Sequence, residues 1–231
     1  MLEKLPLWEV IQKKMVFLQL GNIQQLRILD FGSGLGVVAN YYAEHNDVVA
    51  VEPSEKLLRD RFSENDYLQI HGDINAVKQF ADSSFDMVFC HNVLEYVPDR
   101  LEILREFYRV LKPGGILSVV KHNRPERSMQ IKALRNEFEA AKAYIEASDH
   151  YAEQYGTLHY YSDSDLTNWC DCLKIVNVFG IHAFFDPQQS KDQSADIALQ
   201  EAIFELEIRA SQVDVHRNTA LFHHLIIRKE H

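Results

Sequence analysis

Short apolar segments alternate with amphipathic segments along the first half of the chain, and this alternation narrows the fold strongly. Leu26–Phe31, Asp47–Glu52, Tyr67–His71, Phe85–His91 and Ile116–Lys121 have the length of β-strands. They are apolar almost throughout, as strands are when both faces of their sheet are buried. Strands that alternate with helices in this way predict a parallel sheet covered by helices on both faces.

The last third of the chain adds further regular elements. Its pattern predicts a helix over Asp163–Leu173, a strand over Lys174–Phe185, a helix over about Ser194–Gln212 and a strand over Thr219–Arg228. Together with the first five strands, these elements predict an α/β fold. The expected architecture is a doubly wound, mostly parallel, seven-stranded Rossmann-like sheet with helices on both faces.

The length of the chain suits one α/β domain, so residues 1–231 are interpreted as a single domain. Residues 1–24 carry apolar side chains at helical spacing and predict an N-terminal helical arm. Residues 124–161 are polar and rich in aromatic groups, with a helical pattern around Met129–Ala147. We interpret them as a helical lid or insertion after the fifth strand, placed over the active site.

Charge and cysteine content exclude some classes of protein. The formal net charge of −10 argues against a protein that coats nucleic acid by bulk electrostatics, although it allows a local basic patch. Cys90, Cys170 and Cys172 form neither a disulfide framework nor a zinc site, and we interpret them as buried packing residues. We expect no metal site, no signal peptide, no membrane span and a cytoplasmic setting.

Polar residues follow the strands at the edge where a parallel sheet binds ligands. Each of the first four predicted strands ends beside such a group, and the set is Asp30 with Gly32, Gly34 and Gly36, then Glu52, then Asp73 with Ile74, then His91. Glycines allow a ligand close to the backbone, and the following helix offers N–H groups to an anion. Glu52 is placed to accept hydrogen bonds from ribose hydroxyls, and Asp73 from the amine of adenine.

Each of these residues taken alone has a structural explanation. Glycines serve any tight connection between a strand and a helix. Glu52 or Asp73 could simply cap the helix that follows it. The set, in order and at successive strand ends, is what indicates a nucleotide-like ligand.

The segments LRILDFGSGLG, VVAVEPS, HGDI, FDMVFCHNVLEYV and LKPGGILSVV resemble the successive motifs of class I methyltransferases, which use S-adenosylmethionine. The resemblance covers roughly Leu26–Val120. It implies that S-adenosylmethionine is the cofactor. It assigns the methionine end to Gly32, Gly34 and Gly36, the ribose to Glu52, and the adenine to Asp73 with Ile74. Asp30 and His91 are then cofactor-binding residues as well.

Two other classes of function remain as alternatives. A nicotinamide-dependent dehydrogenase would need a G-x-G-x-x-G pattern, but the third glycine falls on Val37 or Ala39, depending on the start of the count. A non-catalytic module that binds S-adenosylmethionine for regulation would retain the same glycine turn and acidic residues. Methyl transfer to any acceptor would separate that module from an enzyme.

The acceptor side is expected near the ends of the fourth and fifth strands. His91 and His122 are the candidate catalytic residues, because an ordinary histidine pKa near 6.5 suits proton transfer. Asn123, Arg124 and Tyr160 are the candidate acceptor contacts. A hydroxyl acceptor and many nitrogen acceptors need a base, whereas a carboxylate acceptor needs none and would suit an arginine clamp. His122 could equally be an exposed polar residue, and the tyrosines near residue 160 could simply pack.

The segments VFCHNVLEYV, LSVVKHN, VFGIHAFFDP and ALQEAIFELEIRAS are similar to bacterial enzymes that methylate the carboxymethoxy group of tRNA wobble uridine. This resemblance implies a nucleoside acceptor within tRNA. The net charge does not support a tRNA partner, so the acceptor is left as a small molecule or a nucleoside. The sequence gives no indication of the oligomeric state.

Overall fold

The computed structural model describes residues 2–123, 136, 138–139, 142, 149–152, 156–184 and 197–230. Arg124 and most of the predicted helix around Met129–Ala147 lie outside the described residues. The strands are β1 (Arg27–Phe31), β2 (Asp47–Glu52), β3 (Leu68–His71), β4 (Phe85–His91), β5 (Leu111–His122), β6 (Asp149–Ala152), β7 (Gly156–His159), β8 (Leu173–Ile181) and β9 (Phe222–Lys229). The helices are α1 (Leu7–Leu20), α2 (Val37–Tyr42), α3 (Glu55–Arg59), α4 (Ile74–Val77), α5 (Arg100–Val110), α6 (Asp163–Trp169), α7 (Ile197–Ala210) and α8 (Asp214–Asn218).

Seven strands form one sheet in the order β3-β2-β1-β4-β5-β9-β8. Strands β1 to β5 pair in parallel, and β9 runs antiparallel to both of its neighbours. The predicted seven-stranded, mostly parallel α/β fold is therefore confirmed. The order reverses between β1 and β4, which places a crevice at the carboxyl ends of these two strands.

The sheet separates two apolar cores, as a doubly wound fold requires. On one face, α1 and α2 pack against side chains of β1, β2 and β4. On the other face, α4, α5 and α6 cover the same sheet. In α1, Leu7, Ile11 and Met15 recur one turn apart and are all buried, so this helix presents one apolar stripe to the sheet.

Helix α5 shows how sequence pattern and packing agree. Ile103, Leu104, Phe107 and Val110 lie on one face and are buried against β1 and β5. Where the helix ends, the ammonium of Lys229 donates to the carbonyl oxygens of Tyr108 and Leu111 at 2.7 and 2.6 Å. A cation there satisfies carbonyls that have no partner within the helix.

Several predicted boundaries were wrong. Strand β5 begins at Leu111, five residues before the predicted start at Ile116, and the pairing with β4 is irregular over these added residues. Strands β6 and β7 pair antiparallel within the predicted lid, where a loop and helix were expected. These two short strands were not predicted because they lack the alternation of apolar and polar residues by which a strand is recognised in a sequence.

Helix α6 begins at a capping box formed by Ser162 and Asp165 and ends at Trp169, four residues before the predicted end. Beyond it, Cys170 is partly exposed and Cys172 is exposed, which corrects their interpretation as buried residues. Cys90 is buried as expected. Among the helices of the described ranges, none is long and apolar enough to cross a membrane.

Phe107 tests the packing of α5 on the sheet. Its ring is fully buried and lies 5.3 Å from the ring of Phe31 in an edge-to-face arrangement. We expect Phe107→Ala to lower the free energy of unfolding by about 3–5 kcal/mol, through lost burial and the cavity left behind. Urea titration measures this change. The control is Leu101→Ala on the same helix, where the side chain is 44% exposed. Equal, small losses in both variants would contradict this packing.

Candidate functional site

The polar residues predicted from the strand ends lie along one edge of the sheet. Asp30 of β1 is paired with Ala50 of β2 on one side and with Phe89 of β4 on the other. The glycine turn that follows β1 therefore lies between the end of β2 and the end of β4. This is the crevice at which the strand order reverses.

The three glycines of this turn have different structural reasons. Gly32, Gly34 and Gly36 have φ angles of +72°, +58° and +70°, which L side chains rarely adopt. A Cβ atom at Gly32 would collide with Val93, and one at Gly36 with the Tyr67 hydroxyl. A Cβ atom placed on Gly34 would meet nothing within 4 Å, so this side of its backbone is open to a ligand.

Glu52 connects the glycine turn to the next helix. Its carboxylate is only 6% exposed, and its Oε2 accepts from the Gly34 N–H at 2.8 Å while its Oε1 accepts from the Ser54 N–H at 2.8 Å. Ser54 is the N-cap of α3, so Glu52 is not needed for that role. Each carboxylate oxygen has lone pairs beyond these bonds, and the pair is suited to two ribose hydroxyls.

Asp30 is a buried carboxyl group at the end of β1. Burial raises the pKa of Asp30 to about 7, and the nearby Lys13 cation on α1 opposes part of this shift. Lys13 was not predicted as a site residue, because on a helical pattern it looks like any other polar-face lysine. Its proximity to Asp30 shows that α1 contributes charge to this edge of the sheet.

Buried polar atoms without a hydrogen-bond partner among the described residues gather at the ends of β1 and β4. They are Asp30 Oδ2, Ser33 Oγ, His91 Nδ1 and Asn92 Oδ1. Proteins pair nearly all such atoms, so a cluster of them calls for an explanation. With the open approach at Gly34 and the Glu52 carboxylate, this cluster fits a ligand with an amino-acid end and a ribose, as S-adenosylmethionine has.

Asp73 and Ile74 lie at the end of β3, along the same edge. Asp73 is exposed, and its Oδ1 accepts from the Asn75 N–H at 2.9 Å, which makes it the N-cap of α4. Ile74 is partly buried against the core. The capping explanation is therefore realised for Asp73, and its contact with adenine stays a prediction.

A carboxylate and an imidazole form a second group beyond β4 and β5. Glu95 is 1% exposed, and its Oε1 lies 2.9 Å from His122 Nδ1 and 3.3 Å from the His122 backbone nitrogen. Rings of Tyr96, Tyr160 and Phe222 surround the His122 imidazole. A buried carboxylate of this kind orients the ring, leaving Nε2 for an acceptor. Glu95 was not predicted as a site residue, because its one signal in the sequence is an acid within an apolar turn.

The remaining predicted acceptor residues differ in placement. Asn123 is buried, and its Nδ2 donates to the carbonyl oxygens of Asn218 and Ala220, both at 3.0 Å. Both amide hydrogens therefore hold the loop before β9, and the expected contact of Asn123 with an acceptor stays a prediction. Tyr160 has its ring centroid 6.3 Å from that of His122. Arg124 lies outside the described residues.

His91 lies at the end of β4, and its Nε2 is 2.8 Å from the Ser118 hydroxyl. Desolvation holds the pKa of His91 well below its ordinary value, so the imidazole is neutral near pH 7. Within the part of the chain that the structure describes, no three histidine, cysteine or acidic side chains could together hold a metal ion.

Comparisons with known proteins agree with this geometry. Residues 29–119 match the family model described as a methyltransferase domain. A thiol S-methyltransferase of Rattus norvegicus is 38% identical over 109 residues, which is 44% of this chain and 45% of that protein. The chain thus spans about half the length of this relative. The tRNA 5-carboxymethoxyuridine methyltransferase of Escherichia coli K12 is 26% identical over 237 residues, covering 96% of this chain and 86% of that protein.

The fold has solved relatives as well. An S-adenosylmethionine-dependent methyltransferase from Mesorhizobium loti superposes with a TM-score of 0.59 at 16% identity, over 99% of this chain and all of that one. Sheet order, glycine turn and acidic strand ends define the class I methyltransferase fold. Residues 29–119 are similar to a methyltransferase domain, and the chain shares its fold with S-adenosylmethionine-dependent methyltransferases. These similarities imply S-adenosylmethionine as the cofactor and favour a methyltransferase over the dehydrogenase alternative.

Glu52 tests the cofactor assignment. Glu52→Ala removes the acceptor of the Gly34 N–H and the expected partner of the ribose. We expect S-adenosylmethionine binding to weaken by about 1–3 kcal/mol, the range for hydrogen bonds to a charged group. Calorimetry measures the affinity, and circular dichroism checks folding. Glu55→Ala, at an exposed position in the first turn of α3, is the matched control. Unchanged affinity in Glu52→Ala would refute the assignment.

Asp30 gives a prediction about pH. In the unfolded chain, the Asp30 carboxyl group ionises near its ordinary pKa of 3.8, whereas in the folded protein it keeps its proton up to about pH 7. Its contribution to stability is therefore complete below about pH 4 and is lost as pH rises through 7. Asp30→Asn, which stays neutral, should gain stability relative to the native chain over that interval.

Urea unfolding at several pH values between about 4 and 8 measures this difference. Asp60→Asn, at an exposed position after α3, serves as the control and should leave the pH dependence unchanged. Native and Asp30→Asn curves that run parallel across the interval would show that Asp30 does not titrate there.

Proposed function

We propose that this chain catalyses methyl transfer from S-adenosylmethionine to a carboxylate of a modified uridine in tRNA. The observation that carries the cofactor-binding part is the Glu52 carboxylate bound to the N–H of Gly34 beside unpaired buried polar atoms. In this proposal Glu52 holds the ribose, the glycine turn faces the amino-acid end, and Asp73 with Ile74 contacts the adenine.

Bound S-adenosylmethionine would supply a methyl group attached to a cationic sulfur. When a lone pair of the acceptor bonds to the methyl carbon, the bond between that carbon and the sulfur breaks, and the sulfur becomes a neutral thioether. Such a methyl group is already activated, so the protein contributes mainly orientation. His122 is our candidate for the acceptor side, since its ring is held at Nδ1 by buried Glu95 and lies among three aromatic rings.

The extent of the two similarities favours the tRNA acceptor. The thiol methyltransferase shares 44% of this chain, which is too short to include both Glu52 and Phe222. The tRNA methyltransferase aligns over 96% of the chain and so includes the residues around His122. The residues on the acceptor side follow β4 and β7 or lie on β5 and β9, so the longer similarity bears more directly on the acceptor.

A carboxylate acceptor changes the role of His122. Glu95 accepts the Nδ1 hydrogen, so Nε2 can donate to an acceptor only when the imidazole carries a charge. His122 would then bind one carboxylate oxygen while the other attacks the methyl group, and no base is required.

The test is a transfer assay with S-adenosylmethionine labelled in the methyl group. The acceptors are tRNA that carries 5-carboxymethoxyuridine, the same tRNA without that modification, and a small aromatic thiol. We expect label only in the modified tRNA, as a base-labile ester, with a KM that rises with salt concentration. Label in the thiol alone would contradict the acceptor. No transfer despite tight cofactor binding would indicate a non-catalytic module.

His122→Gln distinguishes the two roles of the imidazole. Glutamine can donate a hydrogen bond but cannot take a proton at neutral pH. With a carboxylate acceptor, we expect His122→Gln to retain more activity than His122→Ala. If His122 were a general base, both variants would lose roughly 10²–10⁴-fold in kcat. Measuring kcat and KM separately for both variants decides between these outcomes.

A further inference from the structure

A line of buried hydrogen bonds connects the cofactor edge to the first helix. His91 Nε2 lies 2.8 Å from Ser118 Oγ, and Ser118 Oγ lies 2.8 Å from His224 Nε2. His224 Nδ1 lies 2.7 Å from Gln19 Oε1 on α1. The line crosses from β4 through β5 to β9 on the sheet face that α1 covers. Neither Ser118 nor His224 is exposed to solvent.

The Gln19 amide sets the direction of every hydrogen in this line. Its Nε2 donates to the Gly180 carbonyl at 3.4 Å, which leaves Oε1 as the atom facing His224. An amide oxygen only accepts, so His224 Nδ1 must carry the hydrogen. Burial lowers the pKa of His224 to about 3, so the imidazole is neutral and carries only the Nδ1 hydrogen. Its Nε2 therefore accepts a hydrogen bond from the Ser118 hydroxyl.

The Ser118 hydroxyl donates its hydrogen to His224, so the Ser118 oxygen must accept a hydrogen bond from His91 Nε2. A neutral imidazole carries one hydrogen, so the lone pair of His91 is on Nδ1. This Nδ1 atom is buried and has no hydrogen-bond partner among the described residues. In the sheet, β4 lies beside β1 with Phe89 opposite Asp30, so His91 lies alongside Gly32 of the glycine turn.

We propose that Gln19, His224 and Ser118 are positioning residues that fix His91 as a single neutral tautomer, whose Nδ1 accepts a hydrogen bond from the ammonium group of bound S-adenosylmethionine. The inference rests on the proposed function. The cofactor has two nitrogen donors, the ammonium and the adenine amine, and the adenine end is assigned to Asp73 at β3. The ammonium is part of the methionine end of the cofactor, which is assigned to the glycine turn beside His91.

A neutral imidazole is the suitable partner there. An imidazolium would repel both the ammonium and the cationic sulfur, whereas a lone pair attracts the ammonium. The line also ties the site to α1, which brings the Lys13 cation near Asp30 and His91. Because Ser118 holds the Nε2 hydrogen of His91, the Nδ1 atom can accept a hydrogen bond from the ammonium without rotation of the ring or a change in its protonation state.

Two variants of Gln19 test the line at its outer end. Gln19→Met has a similar size but no acceptor for His224, whereas Gln19→Glu restores an acceptor oxygen. Nitrogen-15 NMR of histidine-labelled protein, without cofactor, reports which ring nitrogen of His91 carries hydrogen. We expect one tautomer, protonated at Nε2, in the native chain and in Gln19→Glu, and a mixture in Gln19→Met.

Calorimetry with S-adenosylmethionine provides the second readout. Gln19→Met should weaken binding roughly two- to tenfold, the worth of one neutral hydrogen bond, and Gln19→Glu should restore it. Ser118→Ala breaks the line at its middle and should change the His91 tautomer in the same way. Gln24→Met is the control for the substitution itself, since Gln24 is exposed and its side-chain nitrogen donates to the side chain of Asn22.

An unchanged His91 tautomer in both Gln19→Met and Ser118→Ala would overturn the proposal. Weaker binding in Gln19→Met that Gln19→Glu does not restore would also overturn it, because packing alone would then account for the loss. These readouts need no methyl transfer. If the tautomer and the affinity respond as expected but no acceptor is methylated, the line stands and the proposed catalytic function fails.

Discussion

The buried carboxylate of Glu52 is the contact on which the site depends. A charge at a 6% exposed position is costly unless it is hydrogen-bonded, and here the N–H groups of Gly34 and Ser54 bind both oxygens. The same two bonds fix the glycine turn after β1 against the start of α3. The shape of the turn and, in our proposal, the binding of the ribose therefore depend on one side chain, which the parallel pairing of β1 and β2 brings into place.

Strand β5 links the cofactor and acceptor sides. Ser118 and His122 are an even number of residues apart on this strand, so their side chains leave the sheet on the same face. Ser118 belongs to the line that reaches His91, while His122 is bound to Glu95. The neutral His91 lies by the glycine turn, and the carboxylate-bound His122 lies among aromatic rings. The two histidines thus have different environments, which suits one to a cationic ligand and the other to an acceptor.

The sheet, the glycine turn and Glu52 could be predicted because their signals are local: an apolar run, a turn and an acid adjacent in sequence. Contacts between distant segments could not be predicted. Gln19 and His224 are 205 positions apart, and nothing in either segment indicates the other. Polarity at a strand end was also an unreliable guide. It led to Glu52, which binds the glycine turn, but Asn123 has the same position after β5 and donates both amide hydrogens to the loop before β9.

The most direct test of the site is a crystal structure of the protein with S-adenosylhomocysteine. We expect both ribose hydroxyls within about 2.7–3.2 Å of the Glu52 carboxylate and the amino-acid end against Gly34. The ligand would then lie in the crevice between β1 and β4. A ligand bound with its ribose away from Glu52, or at the opposite edge of the sheet beside Lys112–Gly115, would contradict this placement of the cofactor site.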